Sequence, residues 1–171
     1  MINLGIELCD DGIRGTSLSL EQVVSKELMA RLKFRKLGLW HRLFMRACRI
    51  TLPGSRIYHK GNCDFEFFNG RCARCAIFPT LDDPMPGRRV GTSLYLFTLW
   101  NRVYMIVGQV LTPNEIRAAS IGKDIRMSCI EQLGMQTHRD ERFDVWEDDE
   151  STVLLEISKN LKDVHIYWRL K

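Results

Sequence analysis

The stretch SLYLFTLWNRVYMIVGQV, Ser93 to Val110, decides the fold class. Residues 93–99 and 102–110 are rich in β-branched and aromatic types, with Trp100-Asn101 between them. That composition predicts a β-hairpin or one long bent strand. Although this is the most apolar part of the chain, Asn101 and Arg102 interrupt it. It therefore falls short of the roughly 18 consecutive apolar residues that a membrane span needs.

Working outward, Thr112-Pro113-Asn114-Glu115 has a helix-start pattern, with a capping threonine and proline at the first helical position. The helix it opens is expected to be short, ending near Gly122, and Ile125, Met127 and Cys129 then alternate like a strand. Asp140, Glu141, Asp144, Glu147, Asp148, Asp149 and Glu150 read as an acidic loop over 136–151. Residues 152–157 and 164–170 pair as a terminal hairpin, with Val164, Ile166, Trp168 and Leu170 on one face.

Toward the N-terminus, residues 2–9 predict a first strand. Ser19 and Gln22 predict a capping box that opens a helix along Leu20, Val24, Leu28 and Leu32. Gly38 bends or weakens that helix. A second stripe follows it, Leu39, Leu43 and Ala47 with Trp40 and Phe44, until Pro53-Gly54. Residues 53–92 read as an irregular His/Cys region with a loop at 82–87. The whole predicts an α+β single domain, an antiparallel sheet with two or three helices packed on it. Its segments are strand-helix-helix over 1–52, the His/Cys region, a sheet with a short helix over 93–135, the acidic loop and the hairpin over 152–171.

The net charge of +4 conceals a division. Between Lys26 and Lys60 ten Lys or Arg face a single acid, Glu27, so the remainder is net negative. Arg42, Arg46 and Arg49 recur at helical spacing, and Arg31, Lys33, Arg35 and Lys36 gather before and at the bend. So many like charges on one element call for an anion, either nucleic-acid phosphate or an acidic lipid surface. Trp40 and Phe44 could then act as interfacial anchors or base-stacking platforms. The plain alternative is a solvated face whose arginines pair with the chain's own acidic cluster.

His59, Cys63, Cys72 and Cys75 form H-x3-C-x8-C-x2-C, a donor set with the chemistry of a tetrahedral zinc site. Zinc is the one cofactor the sequence offers; the alternative is buried cysteines beside a strand at Phe65–Phe68. The N-terminal MINLGIELCDDGIRG has neither the basic start nor the apolar run of a signal peptide. The expected setting is cytoplasmic, with the six cysteines reduced. P-loop, GxGxxG, HExxH and GxSxG patterns are missing, so neither catalysis nor a small-molecule substrate is expected.

The order of these elements resembles that of rhabdovirus matrix proteins: strand 2–9, helix over 19–48, a His/Cys loop at Tyr58-His59 to Cys63, strands at 93–110 and a closing hairpin. The resemblance implies a non-enzymatic, self-associating structural protein that binds anionic membrane and nucleocapsid. In this chain the basic charge lies within a helix, not in a lysine-rich arm. Two other readings stand beside it. One is a zinc-stabilised nucleic-acid-binding accessory protein, and the other an intracellular protein-binding module that uses the acidic cluster.

Overall fold

A computed structural model describes residues 1–2, 4, 6–8, 16–47, 51–61, 65–67, 91–112, 114–157 and 162–171. In chain order the elements are β1 (Ile6–Leu8), β2 (Thr16–Leu18), α1 (Lys26–Arg31), β3 (Arg35–Lys36), α2 (Leu39–Ala47), β4 (Arg56–Gly61) and β5 (Phe65–Phe67). There follow β6 (Gly91–Leu99), β7 (Arg102–Leu111), α3 (Glu115–Leu133), β8 (His138–Arg139), β9 (Phe143–Glu147), β10 (Ser151–Ile157) and β11 (Asp163–Leu170). Among the described residues one antiparallel sheet has the order β3-β4-β6-β7-β11-β10-β9-β8, and a smaller one the order β2-β1-β5. The class is α+β, as composition and pattern indicate.

The opening stretch is a hairpin. Leu99 pairs with Arg102, and Thr98 with Val103, so only Trp100 and Asn101 turn the chain. Both have positive φ, 52° and 61°, the left-handed pair that matches the twist of the flanking strands. A register shift between Phe97 and Thr98 inserts Tyr104 as an extra residue opposite. The closing hairpin also forms, from Ser151↔Leu170 to Ile157↔Val164.

Because neighbouring strand residues point to opposite faces, the main sheet has two apolar layers. One joins Leu94, Leu96, Ile106, Val110, Val164, Ile166 and Trp168 to Met29 and Leu32 near α1, and to Ala118, Ile121, Ile125 and Cys129 of α3. The other holds Ile57, Phe97, Met105 and Val107, with Leu37 and Met45 packed on it. Helices α1 and α3 therefore cover one face and α2 lies on the other.

Several expectations are corrected. The helix after Asn114 runs nineteen residues to Leu133. Ala118, Ile121, Ile125 and Cys129 form a helical stripe that outweighs the two-residue alternation at 125–129, and Met127 is half-exposed. Gly122 does not end this helix but lets it approach the sheet, because a Cβ there would sit 2.8 Å from Cδ1 of Ile157. Gly122→Val is therefore expected to destabilise the protein by about 1–3 kcal/mol in urea unfolding. Part of that loss should return when Ile157 is trimmed to alanine.

The Ser19–Gln22 box does form half its bonds, Ser19 N–H donating to Gln22 Oε1 at 3.2 Å. Glu21, however, takes a φ of 61°, and the chain turns to pair with the 101–103 backbone instead of winding into a helix. Helix α1 starts later, where Ser25 Oγ accepts the Leu28 N–H. Its end precedes Gly38. Phe34 N–H donates to Met29 O and Lys33 N–H to Ala30 O, with Lys33 at φ 61°, a Schellman ending that leads into β3.

Within the supposed irregular region lies β4, paired from Arg56↔Thr98 to Gly61↔Ser93. The supposed acidic loop contains β8 and β9. Asp144, on β9, is fully buried, where it accepts from Arg126 Nε at 2.6 Å and Gln136 Nε2 at 2.8 Å. Trp146, two residues on, donates its indole N–H to Gly134 O. These bonds tie β9 to α3 and the turn after it.

Candidate functional site

Helix α2 is held at its start by Leu37 N–H donating to Ile57 O at 2.9 Å, a link to β4. At about 100° per residue, Leu39, Trp40, Leu43 and Phe44 fill one arc of the helix, and Met45 stands on the opposite side. The sequence marks Trp40 and Phe44 as residues for an interface, and helical spacing alone leaves open whether Leu39 and Leu43 pack inward. The structure turns the whole arc outward. Met45 makes the sheet contact, whereas Trp40 is 82%, Phe44 69%, Leu39 59% and Leu43 44% exposed. A fold gains nothing from four large apolar side chains left in water, and a patch of this kind marks a contact surface.

Arg42 and Arg46 lie beside this arc. Arg46 is exposed, and Arg42 is half-buried with an Nε shielded from water and without a protein partner among the described residues. A shielded donor without an acceptor is a cost that the fold bears. No acid among the described residues forms an ion pair with Arg42 or Arg46. The acidic cluster is engaged elsewhere: Asp144 with Arg126, Glu147 with Lys171, and Asp148 and Glu150 with the Met1 amino group.

The other basic residues do not share one surface. Arg31 sits at the end of α1, on the opposite side of the sheet. Lys33 occupies the turn after it, and Arg35 and Lys36 lie on the edge strand β3, opposite His59 and Tyr58. Of these, Arg35 points to the α2 side, because its partner His59 does. Arg49 is outside the described residues.

Of the zinc set only His59 is described; Cys63, Cys72 and Cys75 lie outside the described residues. The His59 ring rests against Tyr95, centroids 4.7 Å apart. Burial, then the charges of Arg35 and His41, pull its pKa below the ordinary value. Among the described residues no group of three His, Cys, Asp or Glu converges on a metal position. Cys129 is a buried thiol in the α3 stripe.

Farther along the same face His165 lies against Tyr167 at 5.8 Å. Its pKa is lowered by burial, against the opposing pull of Glu156 and Asp163. Burial and then Glu156 push the Tyr167 hydroxyl up to about 12. Both histidines therefore fold in the neutral form. As pH falls through about 6.5 the unfolded chain binds protons first, so stability is full above that value and declines below it. The thermal midpoint should be lower at pH 5 than at pH 7.5, and His165→Gln should reduce the difference.

The exposed arc of α2, its two arginines and a second exposed indole, Trp100, complete the geometry. Family models, curated proteins and solved structures yield no match to this chain. Its function is therefore read from these side chains. Among the described residues, no helix is long and apolar enough to cross a membrane. The exposure of Leu39 and Leu43 was not foreseeable from helical spacing, which shows that two sides differ but not which one meets the core.

Proposed function

We propose that this is a non-enzymatic structural protein of matrix type, which lies on an anionic membrane from the cytoplasmic side through α2. The observation that carries this reading is the outward apolar arc of α2 beside Arg42 and Arg46. A helix lying in the bilayer interface buries such an arc at the level of the acyl chains, while arginines beside it meet lipid phosphates. Arg46, exposed beside the arc, stands where a lipid phosphate can reach it.

Nucleic acid satisfies the arginines equally well but gives Leu39 and Leu43 no apolar phase to enter. Membrane is therefore the primary partner in this reading. Contact with ribonucleoprotein and self-association into a coat belong to the same matrix-type role, on other surfaces of the molecule.

The test is flotation with phosphatidylcholine vesicles, with and without phosphatidylserine. The protein is expected to float with the anionic vesicles, to do so less as salt rises, and to stay behind with the neutral ones. Equal binding to both, or to neither, removes the reading.

A further inference from the structure

The turn between β6 and β7 places a tryptophan where sterics disfavour it. A left-handed conformation suits glycine or asparagine, and a bulky aromatic residue there is an outlier. Trp100 nevertheless adopts it at φ 52° and is 89% exposed, so the fold gains little from the ring. The turn is firmly braced. Val24 N–H donates to Asn101 O at 2.8 Å, Val103 N–H to Gln22 O at 3.0 Å and Glu21 N–H to Val103 O at 2.7 Å. Residues held against their preference in a rigid frame are typical of contact sites.

Beside Trp100 opens a cleft of about 310 Å³ lined by Pro53, Gly54, Arg56 and Leu99. Arg56 donates through Nη1 to Asn101 Oδ1 at 3.1 Å, and Arg102 through Nη1 to Glu21 O at 3.2 Å. A guanidinium has five N–H donors, and among the described residues each of these spends one. Leu52, half-exposed and donating its N–H to the Tyr104 hydroxyl at 3.2 Å, leads from the α2 side to this cleft. Phe97 and Met105, in the layer beneath α2, lie only a few strand residues from the tip, about 10 Å at the usual rise.

We infer that Trp100 is a second membrane anchor. It enters the interface of the same phospholipid bilayer as α2, with Arg56 and Arg102 taking headgroup phosphates at the cleft. The inference rests on the membrane reading of α2 and adds a second point of attachment, which fixes the tilt of the sheet on the bilayer. An indole at the headgroup level with arginines beside it is the arrangement that interfaces favour. A single-stranded RNA platform instead needs a basic groove that tracks the backbone, and this tip offers two arginines.

Four tryptophans make the test direct. Trp146 and Trp168 are 2% exposed, so Trp40→Phe leaves Trp100 as the exposed reporter and Trp100→Phe leaves Trp40. Both variants are mixed with phosphatidylcholine–phosphatidylserine vesicles carrying bromine on the acyl chains. In Trp40→Phe the emission should shift to the blue and be quenched. Trp100→Gly should bind about tenfold more weakly with no loss in thermal midpoint, since glycine suits the turn.

If Trp40 is quenched while Trp100 is not, and Trp100→Gly binds like the parent, the second anchor is overturned and the α2 reading survives. Quenching of neither indole overturns both. Quenching of Trp100 by a single-stranded RNA oligonucleotide but not by brominated vesicles overturns the anchor and identifies a base-stacking site.

Discussion

Replacing Arg42 and Arg46 together with glutamate is expected to weaken binding to phosphatidylserine-containing vesicles by on the order of a thousandfold. A basic residue near an anionic leaflet contributes about 1 kcal/mol. Reversal replaces that attraction with a repulsion of similar size, so two reversals remove about 4 kcal/mol, and each 1.4 kcal/mol is a factor of ten. The fold should tolerate the change, because neither arginine forms an ion pair with an acid among the described residues and Met45, not an arginine, seats the helix. Flotation supplies the binding result, and an unchanged thermal midpoint shows that the loss is local. Neutral Arg42→Gln, Arg46→Gln should fall between the two. A double reversal that binds as tightly as the parent removes α2 from the contact.

The second large effect is on stability. Asp144→Ala is expected to cost about 3–5 kcal/mol in urea unfolding, because it leaves the partner charge on a mostly buried Arg126 without its carboxylate. Typical domains are stable by 5–15 kcal/mol, so a large share of the total is at stake. The loss extends to Gln136 and thus to the turn that joins α3 to β9. Adding Arg126→Met should restore part of the stability, because a paired apolar replacement avoids the stranded charge. If Asp144→Ala unfolds at the parent's urea midpoint, the pair contributes nothing, and α3 is held by its apolar stripe alone.

The two hairpins and Asp144 show what the sequence reveals and what it conceals. The strands on either side of Trp100-Asn101, read as a hairpin or one long bent strand, and the terminal hairpin were legible because β-branched and aromatic richness and apolar alternation are local signals. Asp144 was not. It sits among six other acids, and only the register of β9 on β10, set by residues far along the chain, turns it inward. Gly122 reads as a helix stop in isolation, whereas against Ile157 it is a point of close approach within α3.

The candidate site was half legible. The sequence displays the arginine stripe and the apolar stripe of α2 plainly, but amphipathicity is symmetric with respect to inside and outside. Burial of Met45 in place of Leu39 and Leu43 depends on the shape of the layer formed by Ile57, Phe97 and Met105. Trp100 was visible only as part of a turn. That it is left-handed and uncovered is a property of the folded hairpin.

The most direct measurement sets the two anionic surfaces against each other. The protein is floated with phosphatidylserine-containing vesicles while single-stranded RNA is added at equal phosphate concentration. Arginines alone cannot distinguish the two phosphates, but Leu39, Trp40, Leu43 and Phe44 can, since only the bilayer offers an apolar interior. The expected result is that the protein stays with the vesicles. Release into the RNA-bound fraction contradicts the account, because it shows that the exposed arc of α2 does not enter lipid.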